Sequence, residues 1–356
     1  MTERAGCGQA LSIGIAREIS FDIGGDSSVR VRLRACHSAP ARTESFLMRT
    51  DLDHLPATKQ RELERVKAIV FEEFEDALAL ATQSWKKKGR IEKIILYGSY
   101  ARGGWVDEPH TAKGYRSDFD LLIIVSDKRL TDKVDYWLKF EDRLNRELAV
   151  DKTLHTPVNF IVHTMQDVND GLAHGRYFFM DIAKDGIALY ESDAKELHSP
   201  KPKTPEQALA MAKEYFDEWF PAAMRKSKLS RDAMDQSFTK EAAFLLHQTT
   251  ETLYHCVLLV CTFYTPHVHN LGFLRTQAER IDMRLVDAWP RETKADRSRF
   301  EKLKEAYVKA RYSKHYRITE EELLWLSARV EELGRAVHAV CSERIAELEA
   351  GCHAGS

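Results

Sequence analysis

The 356-residue chain lacks a long apolar run: its longest, around Cys256 to Phe263, is too short to span a bilayer, so no membrane partner is expected. Cysteine is sparse as well. Six are scattered at 7, 36, 256, 261, 341 and 352 with no C-x-x-C pair, which gives no sign of a zinc knuckle or a dithiol redox motif. Cys256 and Cys261 lie in an apolar stretch and read as buried thiols. An excess of one charge is missing too: 53 Lys and Arg face 55 Asp and Glu, a formal charge of −2. That balance argues against general coating of nucleic acid, while leaving room for a local basic groove. No signal peptide is evident, and a cytoplasmic location is expected. Residues 1–47 contain no lysine and little periodicity, whereas Met48 opens a capped amphipathic pattern. The expected natural start is therefore Met48, with 1–47 an upstream extension or a disordered tail without assigned function.

What is present is concentrated between Ile91 and Val125. A short apolar run, Ile94-Ile95-Leu96-Tyr97, reads as a strand and leads into Gly98-Ser99 and then Ala101-Arg102-Gly103-Gly104. The stretch closes with Ser117-Asp118-Phe119-Asp120 and a second apolar run from Leu121 to Val125. Alternation on a strand points Asp118 and Asp120 one way, with Phe119 and Leu121 directed into a core. Neighbouring carboxylates repel and stay ionised together only with a cation between them. Mg²⁺ suits them, as a hard ion that takes oxygen ligands and shares its shell with substrate phosphates. The glycine and serine after the first strand let backbone N–H groups approach a phosphate. Together the two halves are what nucleotidyl transfer needs.

GSYARG followed by SDFDLLIIV resembles the nucleotidyltransferase signature of the DNA polymerase β superfamily, in its minimal bacterial branch (MNT). The resemblance implies that Gly98 and Ser99 hold the triphosphate, with Arg102 and Ser117 nearby, and that Asp118 and Asp120 bind Mg²⁺ or Mn²⁺. The substrate implied is an NTP, with ATP the first choice. Residues 100–117 separate Ser99 from Asp118, a longer gap than the family's, and read as a loop containing Trp105, Pro109 and Gly114. The superfamily supplies a third carboxylate from a later strand. Here the run PVNFIVH, read as a third central strand, offers Asn159, which has a carbonyl oxygen for a metal but no charge. Alternation places Asn159, Ile161 and His163 on one face. Asp151 is a nearby acid that could substitute.

The periodicity predicts helices over 57–88 and 130–149, a short helix over 176–183 and a strand over 187–190. In Gly175-Arg176-Tyr177-Phe178-Phe179, the two phenylalanines read as packing against the sheet. Residues 191–206, with prolines at 200, 202 and 205, read as a connection. Strand signals then vanish, and amphipathic helices are predicted over about 205–228, 236–264, 270–286, 294–312 and 319–347. Ser237 or Thr239 is the expected cap of the second, and Thr319 with Glu322 a capping box for the last. The expected fold is an α/β (α+β) nucleotidyltransferase domain with a mixed sheet, followed by an all-α up-and-down helical bundle. The division is 1–47 extension, 48–195 nucleotidyltransferase, 196–206 linker, 207–348 bundle and 349–356 tail.

Phe244-Leu245-Leu246-His247-Gln248 with Glu251, His269-Asn270-Leu271, and Ala310-Arg311-Tyr312-Ser313-Lys314-His315-Tyr316 resemble the HEPN domain that accompanies MNT domains. His247 and Gln248 read as satisfied core groups. If 310–316 is helical, Arg311 and His315 share one face. The Arg-to-His spacing is shorter than in HEPN ribonucleases. In related two-protein systems the MNT partner adds AMP to a tyrosine near this motif, and Tyr316 is the position that most resembles it. Three functions follow as expectations. One is an enzyme moving a nucleoside monophosphate to a hydroxyl acceptor on a small molecule or protein, a domain order also resembling the aminoglycoside nucleotidyltransferases. Another is a fused toxin–antitoxin-like module whose HEPN half binds or cuts RNA. The third is a non-catalytic nucleotide-binding protein, with a homodimer through the helical domain in view.

Overall fold

A computed structural model describes residues 48–106, 117–192, 196–266 and 268–354, all within one compact unit, Ser45–Ser356. Residues 1–47, with the expected start at Met48 as their boundary, and the loop positions Pro109 and Gly114 lie outside the described residues.

The chain runs α1 (Ala57–Leu78), α2 (Ser84–Lys87), β1 (Ile91–Tyr97), α3 (Ser99–Arg102), β2 (Phe119–Val125), α4 (Lys133–Tyr136), α5 (Leu138–Arg146), β3 (Val158–Thr164), α6 (Met165–Ala173), α7 (Tyr177–Asp185) and β4 (Ile187–Glu191). Helices follow: α8 (Pro205–Asp235), α9 (Thr239–Thr262), α10 (Leu271–Glu279), α11 (Arg284–Asp287), α12 (Lys294–Tyr312) and α13 (Glu320–Ala354). The strands form one mixed sheet in the order β3-β2-β1-β4, with β1 antiparallel to both β2 and β4 and β2 parallel to β3. β3 is thus an edge strand and not the central one that its apolar run suggested. Its residues are only half-buried for the most part, as befits an edge.

Alternation along the strands divides the core. Ile94, Leu96, Leu121 and Ile123 pack against Leu63, Val66, Val70 and Phe74 of α1 and against Trp137 and Phe140. Ile95, Tyr97, Leu122, Ile124 and Ile161 face α6 and α7, with Phe179 fully buried among them as expected for that aromatic block. Tyr264 and Phe273, from the helical half, belong to this second core. A third core fills the bundle of α8, α9, α12 and α13. Cys256 is buried and Cys261 half-buried, both as free thiols. No helix among the described residues is long and apolar enough to cross a membrane.

Several predicted helices break. The pattern over 57–88 stops at Leu78, and that over 270–286 is interrupted between Glu279 and Arg284. Residues 130–149 divide into a 3₁₀ turn, α4, α5 and a π turn, because the Asp127 and Asp132 side chains accept from Arg129 N and Asp135 N and start new helices. Val134 and Leu138, apolar residues of this stretch, are exposed. α9 has Phe238 as its N-cap, without a side-chain cap from Ser237 or Thr239. The Thr319–Glu322 capping box is present, each side chain taking the other's backbone N–H, at 3.0 and 3.2 Å.

Candidate active site

The site forms where three strands align. Tyr97 of β1 lies opposite Asp120 of β2, and Asp120 lies beside Asn159 of β3. Alternation puts Asp118, Asp120, Asn159 and Tyr97 on the sheet face that the helical half covers. The Asn159 amide donates to Asp118 Oδ2 at 2.9 Å. Asp151 does not join them; it is exposed in the π turn, 3.8 Å from Arg146.

β1 runs directly into Gly98, whose φ of +80° is the left-handed region and whose turn presses on Asp120. A Cβ at this position would stand 2.6 Å from Asp120 Oδ2, so only glycine fits. Ser99 follows with its Oγ buried and without a hydrogen-bond partner among the described residues. Arg102, at the end of the short α3, is exposed. Ser117 is buried immediately before Asp118, with Ser117 N donating to Val106 O at 2.8 Å and Val106 N to Ser117 Oγ at 2.9 Å. Its hydroxyl therefore closes the neck that flanks residues 107–116. Trp105 stacks on Tyr100 at that neck, centroids 5.5 Å apart.

The lid over this row is α10, whose side chains sequence reasoning missed. Phe273, Thr276, Gln277 and Arg280 recur at helical spacing and form one stripe toward the sheet. Gln277 Nε2 donates to Asp120 Oδ1 at 3.2 Å, Thr276 lies beside Asp118, and the Arg280 guanidinium pairs with Asp120 Oδ2. The opposite side of α10 is locked into the bundle. Arg275 Nε donates to Glu279 at 2.6 Å and Nη2 to Trp289 O at 2.9 Å, while its guanidinium lies over Phe300. Asn270 caps the helix by accepting from Phe273 N at 3.2 Å, which gives the His-Asn-Leu motif its physical role.

Electrostatics follow from burial. Removal from water pushes the Asp118 carboxyl up to about 6, the Asp120 charge adds to the rise, and Arg280 opposes it. Burial also raises Asp120, which is fully enclosed, against the lowering influence of Arg280. Tyr97 is pushed far up by burial and by Asp120, and its hydroxyl has no partner among the described residues. Beside Asn159, along the outer edge of β3, a cavity of about 210 Å³ is lined by apolar side chains together with Lys128, Lys133, Glu141 and His163. His163 Nε2 is 2.8 Å from Tyr264 Oη, so it is engaged within the core.

The expected HEPN residues do not assemble as a helical pair. α12 ends at Tyr312, so Arg311 and His315 do not share a helix face. His315 is exposed, and Tyr316 is buried with its hydroxyl donating to Lys302 O at 3.0 Å. A different cluster surrounds Glu251 of α9. His269 Nδ1 lies 3.1 Å from Glu251, His247 Nε2 3.3 Å and His255 Nε2 3.8 Å. Burial pushes the Glu251 carboxyl up, but hydrogen bonds from the three histidines outweigh it and hold it well below its usual range. Tyr307 stacks on His269, and the Arg311 guanidinium lies over Tyr307 at 4.5 Å. His247 is buried as expected of a core group, with Nδ1 3.0 Å from Leu303 O.

No known protein-family profile matches the chain. One stretch of 39 residues, 11% of the chain, is 51% identical to a protein of Methanocaldococcus jannaschii that is named as a candidate protein adenylyltransferase. The match spans 31% of that protein's length. It agrees at a coarse level with nucleotidyl transfer, as does a small mixed sheet followed by helices.

Proposed function

We propose that this chain is a nucleotidyltransferase that moves AMP from ATP to a hydroxyl on a protein or small molecule. The observation that carries the reading is the contact of the Gly98 turn with Asp120, in the row that joins Asp120 to Asn159 and, through Asn159, to Asp118. A glycine turn of bare backbone thus lies against a pair of carboxylates. The donor set fits Mg²⁺ or Mn²⁺: two carboxylates and an amide carbonyl are hard oxygen ligands. Among the described residues no group of three or more His, Cys, Asp or Glu side chains is arranged to hold a metal, so Asn159 and the substrate would complete the shell. When bound, the ion would lower the pKa of the attacking hydroxyl and offset charge on the leaving pyrophosphate. The chain's own part is positioning. The Gly98–Ser99 turn offers N–H and hydroxyl donors to phosphate oxygens, and Asp118 and Asp120 fix the cation. The acceptor oxygen forms its bond to the α-phosphorus as the bond to pyrophosphate breaks.

Incubation with α-³²P-labelled ATP and Mg²⁺, with candidate protein and small-molecule acceptors, tests the reading. Label transfer that Asp118→Asn and Asp120→Asn each reduce by at least ~100-fold is expected, the scale of losing a positioned charge in a water-excluded site. Transfer at normal rates in either variant would sink the site assignment.

A second reading gives the helical half its own centre. The exposed His269, backed by Glu251 and beside Tyr307 and Arg311, favours a fused MNT–HEPN-like module acting on RNA. RNA degradation lost in His269→Ala, with adenylyl transfer intact, would support it.

A further inference from the structure

We infer that Arg280 is a triphosphate-binding residue supplied to the nucleotide site by the helical half. The inference rests on the nucleotidyltransferase reading and adds a residue to it. Arg280 follows α10 and reaches across to β1: a Cβ built on Gly98 would lie 3.1 Å from its Nη1. Its side chain is 15% exposed. The ion pair with Asp120 uses Nη2, yet Nε is buried with no acceptor among the described residues. On the same turn, Ser99 Oγ is a second buried donor with no partner, and Tyr97 Oη, one residue before Gly98, is a third. A buried donor without an acceptor is costly, and three around one glycine turn point to a ligand with several acceptor oxygens. Phosphate oxygens meet that description, and a guanidinium binds them in a planar fork.

Charge leads to the same ligand. Asp118, Asp120 and Arg280 sum to −1 when all are ionised, and a divalent cation brings the site to +1, which an anionic phosphate chain then meets. Arg280 is also preorganised. The Arg275 bonds to Glu279 and Trp289 hold α10 in the bundle while Phe273 and Gln277 seat it on the sheet, so little freedom is lost when the anion arrives. The row of positions 273, 276, 277 and 280 thus places a piece of the helical half inside the phosphate site.

Calorimetric titration of the full chain in Mg²⁺ with α,β-methylene-ATP and with inorganic tripolyphosphate tests this. Wild type is expected to bind both probes, and Arg280→Met to weaken both by at least tenfold. Arg280→Lys keeps a charge against Asp120 but loses the Nε donor, and it is expected to show the same direction of loss with an unchanged melting temperature. Binding of both probes as tight in Arg280→Met as in wild type, or tighter, would make Arg280 only a counterion of Asp120 and would overturn the inference alone. A loss confined to the nucleotide, with tripolyphosphate unaffected, would overturn it too, since the contact would then be to base or ribose. Wild type that binds neither probe would overturn both this inference and the nucleotidyltransferase reading.

Discussion

Asp118 and Asp120 look interchangeable in the sequence, but their surroundings differ. Asp118 meets a neutral amide, whereas Asp120 is the counterion of a nearly buried arginine. Removing the Asp118 charge relieves repulsion within the pair, so Asp118→Asn is expected to leave the melting temperature unchanged or raised. Asp120→Asn leaves Arg280 without a counter-charge, and the cost is expected near ~3 kcal/mol, the scale for breaking a buried pair from one side. Denaturant melts of the two variants decide this; equal stability would show that Arg280 has another partner. Gly98→Ala is a separate test of the phosphate-binding role proposed for the turn. Its Cβ would meet Asp120 Oδ2 at 2.6 Å with the backbone at φ +80°, so ATP binding should fall below detection and stability should drop by about 1–3 kcal/mol. The glycine, the carboxylates and Asn159 were all legible in the sequence, because strand alternation fixes which side chains meet. Arg280 and Gln277 were not legible. A polar stripe on an amphipathic helix looks the same whether it faces water or an acid from a strand 157 residues earlier.

Elements were easiest to read where periodicity and local chemistry agreed. β1, β2, α9 and α12 fall close to their expected bounds. The stretch 130–149 misled because its apolar spacing is helical while two aspartates restart the backbone. The stretch after Tyr312 misled for a tertiary reason: Lys240 donates to Ser313 O at 2.9 Å and Tyr316 to Lys302 O, contacts that compete with another helical turn. One cap has a pH consequence. Thr164 and Asp167 form a capping box at α6, and Asp167 also takes bonds from Lys128. His163, 3.9 Å away, leads in holding the Asp167 carboxyl far below the usual carboxylate range, with help from Lys128 and the Thr164 groups and against burial. A depressed native pKa contributes stability that is fully present above the unfolded value and is lost as pH falls below it. Asp167→Asn is therefore expected to lower stability by about 1 kcal/mol at pH 7 and to flatten the fall in melting temperature below about pH 4. An acid limb as steep as wild type's would remove Asp167 from the account.

At the scale of the molecule, the sheet and the bundle are tied together by more than the connection at 196–204. Tyr264 and Phe273 complete the core beneath Ile95, Leu122 and Ile161, and α10 contributes to the carboxylate site. Cutting the chain after Pro200 is expected to give an N-terminal piece that aggregates alone, because that core would be exposed to water. Co-expressed pieces should elute together on size exclusion; two pieces that each melt cooperatively alone would show independent modules. The loss of strand signals marked the change from sheet to helices, but not the core they share, since nothing local marks Tyr264 as a lid over a distant strand. The clasp between Val106 and Ser117 has a practical side. Two hydrogen bonds of 2.8 and 2.9 Å pin both stems of the 107–116 segment, so what lies between can change length without displacing β1 or β2. A fluorescent peptide spliced between these stems would leave the register of β1 and β2 as it is.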